Sequence, residues 1–184
     1  LKTDNNRNWR FRAELAEQLT VLLDLFPPDD IGDFVTPVAM ILASDKVSEV
    51  RHTAFRALSG ITKAVAHDNR LLSSLVTRVK QNFANHNRWC QRQMYAHLCQ
   101  YILEDGAVSN ERFAAELLPD LLRLHADPIP NVRISVARVM AYHLLNSDYF
   151  TSGQNPQHAD LLEASRALQS DTDKDVRYFL SNDV

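Results

Sequence analysis

The 184-residue sequence is poor in the residue types that mark several common kinds of site. It holds only four glycines, at positions 32, 60, 106 and 153. So few glycines exclude a glycine-rich phosphate-binding loop and argue against an all-β fold with many tight turns. No apolar run approaches the roughly 18 residues that a membrane-spanning helix needs, so we expect no membrane partner.

Cysteine is also scarce, and the two cysteines are too far apart to be joined. Cys90 and Cys99 lie nine positions apart on one predicted helix, which at about 1.5 Å per residue separates them by roughly 13 Å. A disulfide needs Cα atoms within about 7 Å of each other. We therefore expect two reduced thiols and an intracellular protein, cytoplasmic, nuclear or both.

The sequence lacks the charge pattern of a nucleic-acid-binding protein and the motifs of common enzymes. Its formal net charge is −3, with no basic cluster that would match a phosphate backbone, so no nucleic acid partner is expected. The motifs H-E-x-x-H, G-x-S-x-G, paired C-x-x-C and the phosphate-binding loop are absent. We predict no catalytic residues, no metal and no cofactor. An enzyme with a novel site would instead need a pocket of titratable groups with strongly shifted pKa values.

What the sequence does contain is one motif that recurs along its length. In the stretch DPIPNVR at 127–133, an Asp is followed six positions later by an Arg, with Val directly before that Arg. The Arg position is filled by Arg12, Arg51, Arg92, Arg133 and Arg177, and the Asp position by Asp45, Asp127 and Asp171, with Asn6 and His86 as substitutes. Successive arginines are 39, 41, 41 and 44 residues apart. A period near 40 residues is typical of stacked helical repeats.

Apolar residues at fixed offsets from these arginines predict two helices in each repeat. They recur three, seven and ten positions after the Arg, spacings that lie on one face of an α-helix, and His143 is the polar exception. Two further apolar columns lie nine and sixteen positions before the Arg. Each unit is therefore interpreted as helix A, a short turn that carries the Asp, and helix B.

This pattern predicts an all-α fold, an α-α superhelix of about four and a half repeats within one domain, 1–184. The predicted units are 1–26, 27–66, 67–105, 106–150 and 151–184, the first without its helix A. Both ends cut across a repeat, and the end of a helical stack without a polar cap exposes core residues. We therefore expect that Leu1 is not a natural start and that further repeats precede it.

The recurring Asp and Arg residues are interpreted as a structural ladder rather than as a substrate site. Identical spacing in successive units lets each Asp accept hydrogen bonds from turn amides or from the Arg of a neighbouring unit. Because Asn6 and His86 replace the Asp in two units, we predict that those two units are bonded less strongly to their neighbours.

Two tryptophans occupy equivalent positions, three residues before the repeated Arg. Trp9 and Trp89 each stand next to an arginine, and both residue types are enriched at binding hot spots. These tryptophans are candidate partner contacts, and the alternative is that each folds back over its own repeat. The link at 146–158, which holds Tyr149 and Phe150, has two similar interpretations: a recognition loop, or an insertion that packs locally.

The order of these motifs resembles a known family. A Pro in helix A, an Asp in the turn and Val-Arg at the start of helix B form the pattern of the HEAT repeat. NWRFRAELAEQL at 8–19, CQYILED at 99–105, LPDLL at 118–122, DPIPNVR at 127–133, DYF at 148–150 and LQSDTDKDVRYF at 168–179 occur in that order. They resemble the carboxyl-terminal HEAT repeats of protein phosphatase 2A scaffold and protein phosphatase 4 regulatory subunits, and look closer to the phosphatase 4 branch. The likeness covers about residues 8–180 and separates the chain from importins and condensin subunits.

The resemblance implies a non-catalytic regulatory or scaffold subunit that holds a phosphatase catalytic subunit, of type 4 or alternatively of type 2A, together with other subunits or substrates. In that family the catalytic subunit docks on the A–B turns, so any metal for dephosphorylation belongs to the partner. The matching positions here are Trp9, Arg10, Trp89, Pro128, Pro130, Asn131, Asp173 and Lys174. Trp9-Arg10 is the best match, whereas the scaffold subunit differs at Trp89. The alternative is another HEAT class, such as a nuclear transport carrier, which an exposed acidic column on the B helices would favour.

Overall fold

The structure is a computed structural model that describes residues 8–181, and all regular secondary structure in that range is helical. The α-helices are α1 (Trp9–Leu22), α2 (Pro28–Asp30), α3 (Thr36–Leu42), α4 (Ser48–Val65), α5 (Asn69–Val79), α6 (Trp89–Glu104), α7 (Asn110–Glu116), α8 (Leu118–Arg123), α9 (Pro130–Val139), α10 (Asp148–Thr151), α11 (His158–Gln169) and α12 (Lys174–Tyr178). Three π-helical turns, Ile31–Val35, Lys80–Ala84 and Met140–Leu144, and one 3-10 turn, Leu124–Ala126, extend them. Asn6 lies outside the described residues.

The helices pack in two rows, as expected for stacked helical pairs. The predicted B helices form one row, in which α1 packs on α4, α4 on α6, α6 on α9 and α9 on α12. The predicted A helices form the other row, and each packs against the B helix that follows it, for example α3 on α4 and α11 on α12. One cluster of buried apolar side chains runs through both rows. The prediction of an all-α fold is confirmed.

Local sequence signals explain where several helices begin and end. The Asp68 carboxylate accepts hydrogen bonds from the first backbone amides of α5, and the Ser109 hydroxyl accepts one at the start of α7. Pro27 follows the end of α1, where it cannot continue a helix. Gly106 ends the segment after α6 with φ +54°, a conformation that side chains with a Cβ rarely adopt.

A π-helical turn accounts for the polar residue in the predicted core column. The offset of ten places His143 in the core, but the structure buries Leu144 there instead. The Leu145 amide donates to the Met140 carbonyl, five residues back, so this turn holds more residues than an α-helical turn and shifts those that follow. His143 is only half-buried, and its Nε2 lies 3.6 Å from Glu104 Oε1.

Three arginine–aspartate pairs connect neighbouring units at the starts of the B helices. In each pair the Arg Nε and Nη2 donate to the two oxygens of one carboxylate, a geometry that makes a strong charge-assisted contact. The Nε and Nη2 distances are 2.6 and 3.1 Å for Arg12–Asp45, 2.5 and 3.0 Å for Arg92–Asp127, and 2.6 and 2.9 Å for Arg133–Asp171. Each Arg thus pairs with the Asp of the next unit, 33 to 38 residues later.

The same aspartates hold their own turns in one conformation. In each case Oδ1 accepts a hydrogen bond from the backbone amide two residues later, at 2.8 Å for Asp45, 2.9 Å for Asp127 and 2.8 Å for Asp171. The Arg six positions later donates its Nη1 to the carbonyl oxygen of the Asp, as Arg51, Arg133 and Arg177 show. Because these contacts repeat, the B helices that follow begin at equivalent positions.

Where α4 packs on α6, the repeated arginine Arg51 has no acidic partner among the described residues. His86 takes the Asp position, and its Nδ1 accepts from the Arg88 amide at 3.0 Å, so the turn hydrogen bond is kept. The imidazole offers no carboxylate to Arg51, however. Arg51 Nη1 donates to the carbonyl oxygens of Asp45 and Lys46, and its buried Nε has no hydrogen-bond partner in the described part of the chain.

Replacing His86 with aspartate is expected to stabilise the protein by about 1 kcal/mol, because Arg51 gains a carboxylate and the turn keeps an acceptor. Urea unfolding of His86→Asp would measure the gain. Asn87→Asp is the matched control, since it makes the same change in charge one position away, at an exposed side chain. An equal gain in both variants would show that the effect is one of overall charge and not of the missing ladder contact.

Candidate functional site

The candidate binding residues lie at the starts of the B helices. Trp9, Ser48, Trp89, Pro130 and Lys174 are the first residues of α1, α4, α6, α9 and α12. The sequence had placed these positions in the turns, and the structure makes them the first helical residues. Because the B helices stack side by side, these positions form a row. We call it the turn ridge, and it comprises these five residues with their neighbours Arg10, Pro128, Asn131 and Asp173.

Trp9 and Arg10 form one end of the turn ridge. Trp9 is half-buried and packs against the apolar core, whereas Arg10 is exposed. The Arg10 guanidinium carbon lies 4.9 Å from the centroid of the Trp9 ring, within the range of a cation–π contact. Trp9 therefore covers its own unit and at the same time holds a cation at the surface.

Trp89 is more accessible than Trp9. It begins α6, and 41% of its surface is exposed. A large exposed aromatic ring offers a partner apolar surface to bury, with an indole N–H at its edge. The role of Trp89 as a partner contact stays a prediction.

The turn before α9 presents two prolines and an asparagine. Pro130 occupies the first helical position, where the absence of an amide hydrogen does no harm, and Pro128 is exposed. The Asn131 side chain is exposed. The backbone carbonyl oxygen of Asn131 accepts from Ser135 Oγ at 3.0 Å and from Gln93 Nε2 at 3.4 Å. This turn is therefore tied to the neighbouring helix α6 and presents its surface in a fixed position.

Asp173 and Lys174, in the last turn of the ridge, have different roles. The Asp173 side chain accepts a hydrogen bond from the Asp175 amide at 2.8 Å and so caps α12. Lys174 is exposed. Asp173 therefore shapes the turn, and the freely accessible charge belongs to Lys174.

The strongly shifted titratable groups lie away from the turn ridge. Burial raises the pKa of the Tyr95 hydroxyl and of the Cys99 thiol well above their ordinary values. Tyr95 donates its hydroxyl hydrogen to the Leu117 carbonyl at 2.9 Å, so both are packing residues of the core. Within residues 8–181 no cluster of three or more His, Cys, Asp or Glu could hold a metal ion. None of the helices in that range is long and apolar enough to cross a membrane.

Sequence reasoning did not identify an apolar groove between α1 and the α2–α3 segment. It has a volume of about 380 Å³ and is lined by Leu19, Leu22, Phe26, Asp30, Phe34, Val35 and Val38. In the next unit the corresponding space beside α4 is filled by that unit's own helix A, α3.

Comparison with known proteins connects the chain to one kind of protein. No protein-family model matches it. It is 40% identical over 183 residues to human serine/threonine-protein phosphatase 4 regulatory subunit 1, and 39% identical to the mouse and rat proteins of that name. The alignments cover 98% of this chain but 19% of each relative, so the chain spans about a fifth of the relatives' length. The resemblance to the phosphatase 4 branch predicted from the motifs is confirmed.

Proposed function

We propose that this chain is a HEAT-repeat solenoid of about four and a half repeats that acts as a non-catalytic regulatory or scaffold segment for a type 4 serine/threonine protein phosphatase. The observation that carries this proposal is the similarity, along 98% of the chain, to proteins named as regulatory subunits of that phosphatase. The repeated Asp–Arg turn geometry supports the repeat assignment. The partner is then a phosphatase catalytic subunit, with type 2A as the alternative.

The proposed mechanism is positional. The turn ridge presents Trp9, Arg10, Trp89 and Lys174 from helices whose starts are held by the Asp–Arg ladder. A surface that is ordered before binding loses less conformational freedom when its partner docks. Dephosphorylation and the metal that it requires would belong to the catalytic subunit, and this chain would determine where that subunit sits.

A nuclear transport carrier is the less favoured alternative. An acidic column along the B helices would have supported it. Five positions after the repeated Arg, however, the B helices carry Glu17, Arg56, His97 and Arg138 in turn. This mixed column with two arginines does not fit a surface for basic cargo.

The direct test is binding of the 184-residue chain to purified type 4 and type 2A catalytic subunits, measured side by side. We expect binding to type 4, and we expect the double variant Trp9→Ala, Arg10→Ala to weaken it by about tenfold or more, since Trp and Arg dominate interface energies. The control variant Phe34→Ala, Arg78→Ala removes an exposed aromatic ring and a cation from the row of A helices.

Each outcome of this test is informative. Equal binding to both catalytic subunits would contradict the type 4 assignment. Equal weakening by the two double variants would contradict the turn ridge, and the absence of binding would contradict the docking proposal while leaving the fold unaffected.

A further inference from the structure

A face of the B helices carries arginines that rest on aromatic rings. The Arg56 guanidinium carbon lies 4.7 Å from the centroid of the Tyr101 ring, and that of Arg138 lies 5.8 Å from the centroid of Phe179. Arg56 contacts a ring on the next B helix, α6, and Arg138 contacts a ring directly after the end of the next B helix, α12. Tyr142 meets Phe179 edge to face, with centroids 6.2 Å apart. We call Arg56, Tyr101, Arg138, Tyr142 and Phe179 the arginine–aromatic strip.

The two arginines belong to one continuous surface. Arg56 contacts Tyr101 of α6, and α6 packs directly on α9, which carries Arg138. Tyr101 in turn bonds His52 through its hydroxyl, at 3.1 Å from Nδ1. The strip therefore extends across α4, α6, α9 and the segment at α12.

Unlike the ladder arginines, neither strip arginine is paired with a carboxylate in the described part of the chain. Nearby carboxylates make other hydrogen bonds: Asp105 Oδ2 accepts from Ser59 Oγ at 2.6 Å, and Glu104 Oε1 accepts from Gln100 Nε2 at 2.7 Å. No carboxylate of the described residues forms an ion pair with Arg56 or Arg138, so their guanidinium groups can pair with a carboxylate of a ligand.

The neighbouring histidines do not add charge at neutral pH. His52 and His97 meet with ring centroids 5.0 Å apart. Burial lowers the pKa of both. The charges of Arg51 and Arg56 lower that of His52 further against the opposing charge of Glu49, and the proximity of His52 and Arg138 lowers that of His97 to about 4. At pH 7 the charge of the strip therefore comes from its two arginines.

This arrangement fits carboxylate side chains placed along an extended peptide. A guanidinium stacked on a ring still presents N–H donors at its edge, in a geometry that matches a planar carboxylate. The ring also restricts the arginine to few conformations, which reduces the entropy lost on binding. Tyr142, which is 57% exposed, supplies apolar surface beside the charges.

We propose that the arginine–aromatic strip binds a segment rich in Asp and Glu from a protein partner other than the catalytic subunit. The choice of carboxylates over phosphates rests on the proposed function, because a phosphatase would remove the phosphates by which a substrate was held. The strip lies along the bodies of the B helices, whereas the turn ridge lies at their starts. One segment and one catalytic subunit can therefore be bound together.

The test uses a fluorescein-labelled glutamate-rich peptide with one central leucine, titrated with the 184-residue chain at low salt. We expect Arg56→Ala, Arg138→Ala to weaken binding by about tenfold, in line with the loss of two moderately strong charge contacts. The control Arg78→Ala, Arg166→Ala removes the same charge from the row of A helices. Arg56→Lys, Arg138→Lys keeps the charge but loses the stacked plane, and we expect an intermediate affinity.

Thermal melting of each variant establishes that the helices remain folded. Loss of binding in the strip variant with retention in the control supports the proposal. Equal losses in both would show non-specific attraction and overturn it, as would the absence of binding by the unmodified chain. Tighter binding of a single-stranded oligonucleotide at the strip would overturn the choice of partner. None of these outcomes depends on binding of the catalytic subunit, so the two proposals fail separately.

Discussion

Replacing Asp127 with alanine is expected to lower the free energy of unfolding by about 3 kcal/mol, because it leaves the guanidinium of Arg92, whose side chain is only 14% exposed, without its counter-charge. The Asp127 side chain is only 2% exposed, and both of its oxygens accept from Arg92. The variant also removes the acceptor for the Ile129 amide. The loss therefore combines an unpaired cation with an unsatisfied turn donor.

Urea unfolding of Asp127→Ala would measure this loss, with Asp29→Ala as the control. Asp29 also pairs with an arginine, Arg70, but those side chains are 70% and 69% exposed. An ion pair in water contributes little, so the control is expected to change stability by no more than about 0.5 kcal/mol. Similar losses in the two variants would mean that the ladder pair is as well solvated as the surface pair.

A second measurement is how the free energy of unfolding of the same variant depends on pH in the acid range. Burial raises the pKa of Asp127, but the hydrogen bonds from Arg92 and the Ile129 amide outweigh it, so that the folded-state pKa lies below its ordinary value. Such a carboxyl group contributes stability that is fully present above its unfolded pKa, about 3.9, and is lost as the pH falls through the folded value. Stability should therefore fall less steeply in Asp127→Ala than in the unmodified protein below about pH 4.

Replacing Phe150 with alanine is expected to destabilise the protein by about 4 kcal/mol, the loss typical of a large ring removed from a packed core. Phe150 is 1% exposed and meets Phe113 edge to face, with centroids 5.9 Å apart. The buried Asn155 donates its Nδ2 to the Phe150 carbonyl at 3.1 Å and so holds the link over this ring. These contacts favour local packing of the 146–158 link over its interpretation as a recognition loop.

Thermal or urea unfolding of Phe150→Ala would measure the loss. Gln154→Ala changes an exposed residue of the same link and is expected to stay within about 0.5 kcal/mol. A small effect in Phe150→Ala would indicate that the link detaches readily and would return it to the candidate recognition loops. The predicted unit boundary between 150 and 151 lies inside α10.

The helical units themselves could be read from the sequence because their signal is local. An α-helix repeats every 3.6 residues, so apolar columns at offsets of three, seven and ten identify its buried face whatever surrounds it. Leu58, Cys99 and Met140, in the column seven positions after the repeated Arg, are all fully buried. The candidate binding positions followed from the same register, since an equal offset from Arg places them at the same point of each helix.

The pairing of charges was decided by the tertiary structure. The sequence predicts that Asp127 bonds turn amides or the Arg of a neighbouring unit, but it does not say which neighbour. The Asp127 carboxylate pairs with Arg92 of the preceding unit, and Arg133 pairs with Asp171 of the following one. The spacing of residues along the sequence does not determine the offset at which one unit packs on the next. Only the packing of adjacent B helices brings one unit's Arg to the next unit's Asp.

The sequence patterns also did not predict the change of helical register near His143 or the residues that meet in the arginine–aromatic strip. The π-helical turn at Met140–Leu144 exchanges His143 for Leu144 in the core, and no single residue type encodes such a turn. The arginine–aromatic strip joins Arg56 to Tyr101 and Arg138 to Phe179, across 45 and 41 positions. The sequence by itself determined the helices and their buried faces, because these depend on neighbours within one or a few helical turns. The tertiary structure decided which side chains meet, because that depends on how separate helices are placed against one another.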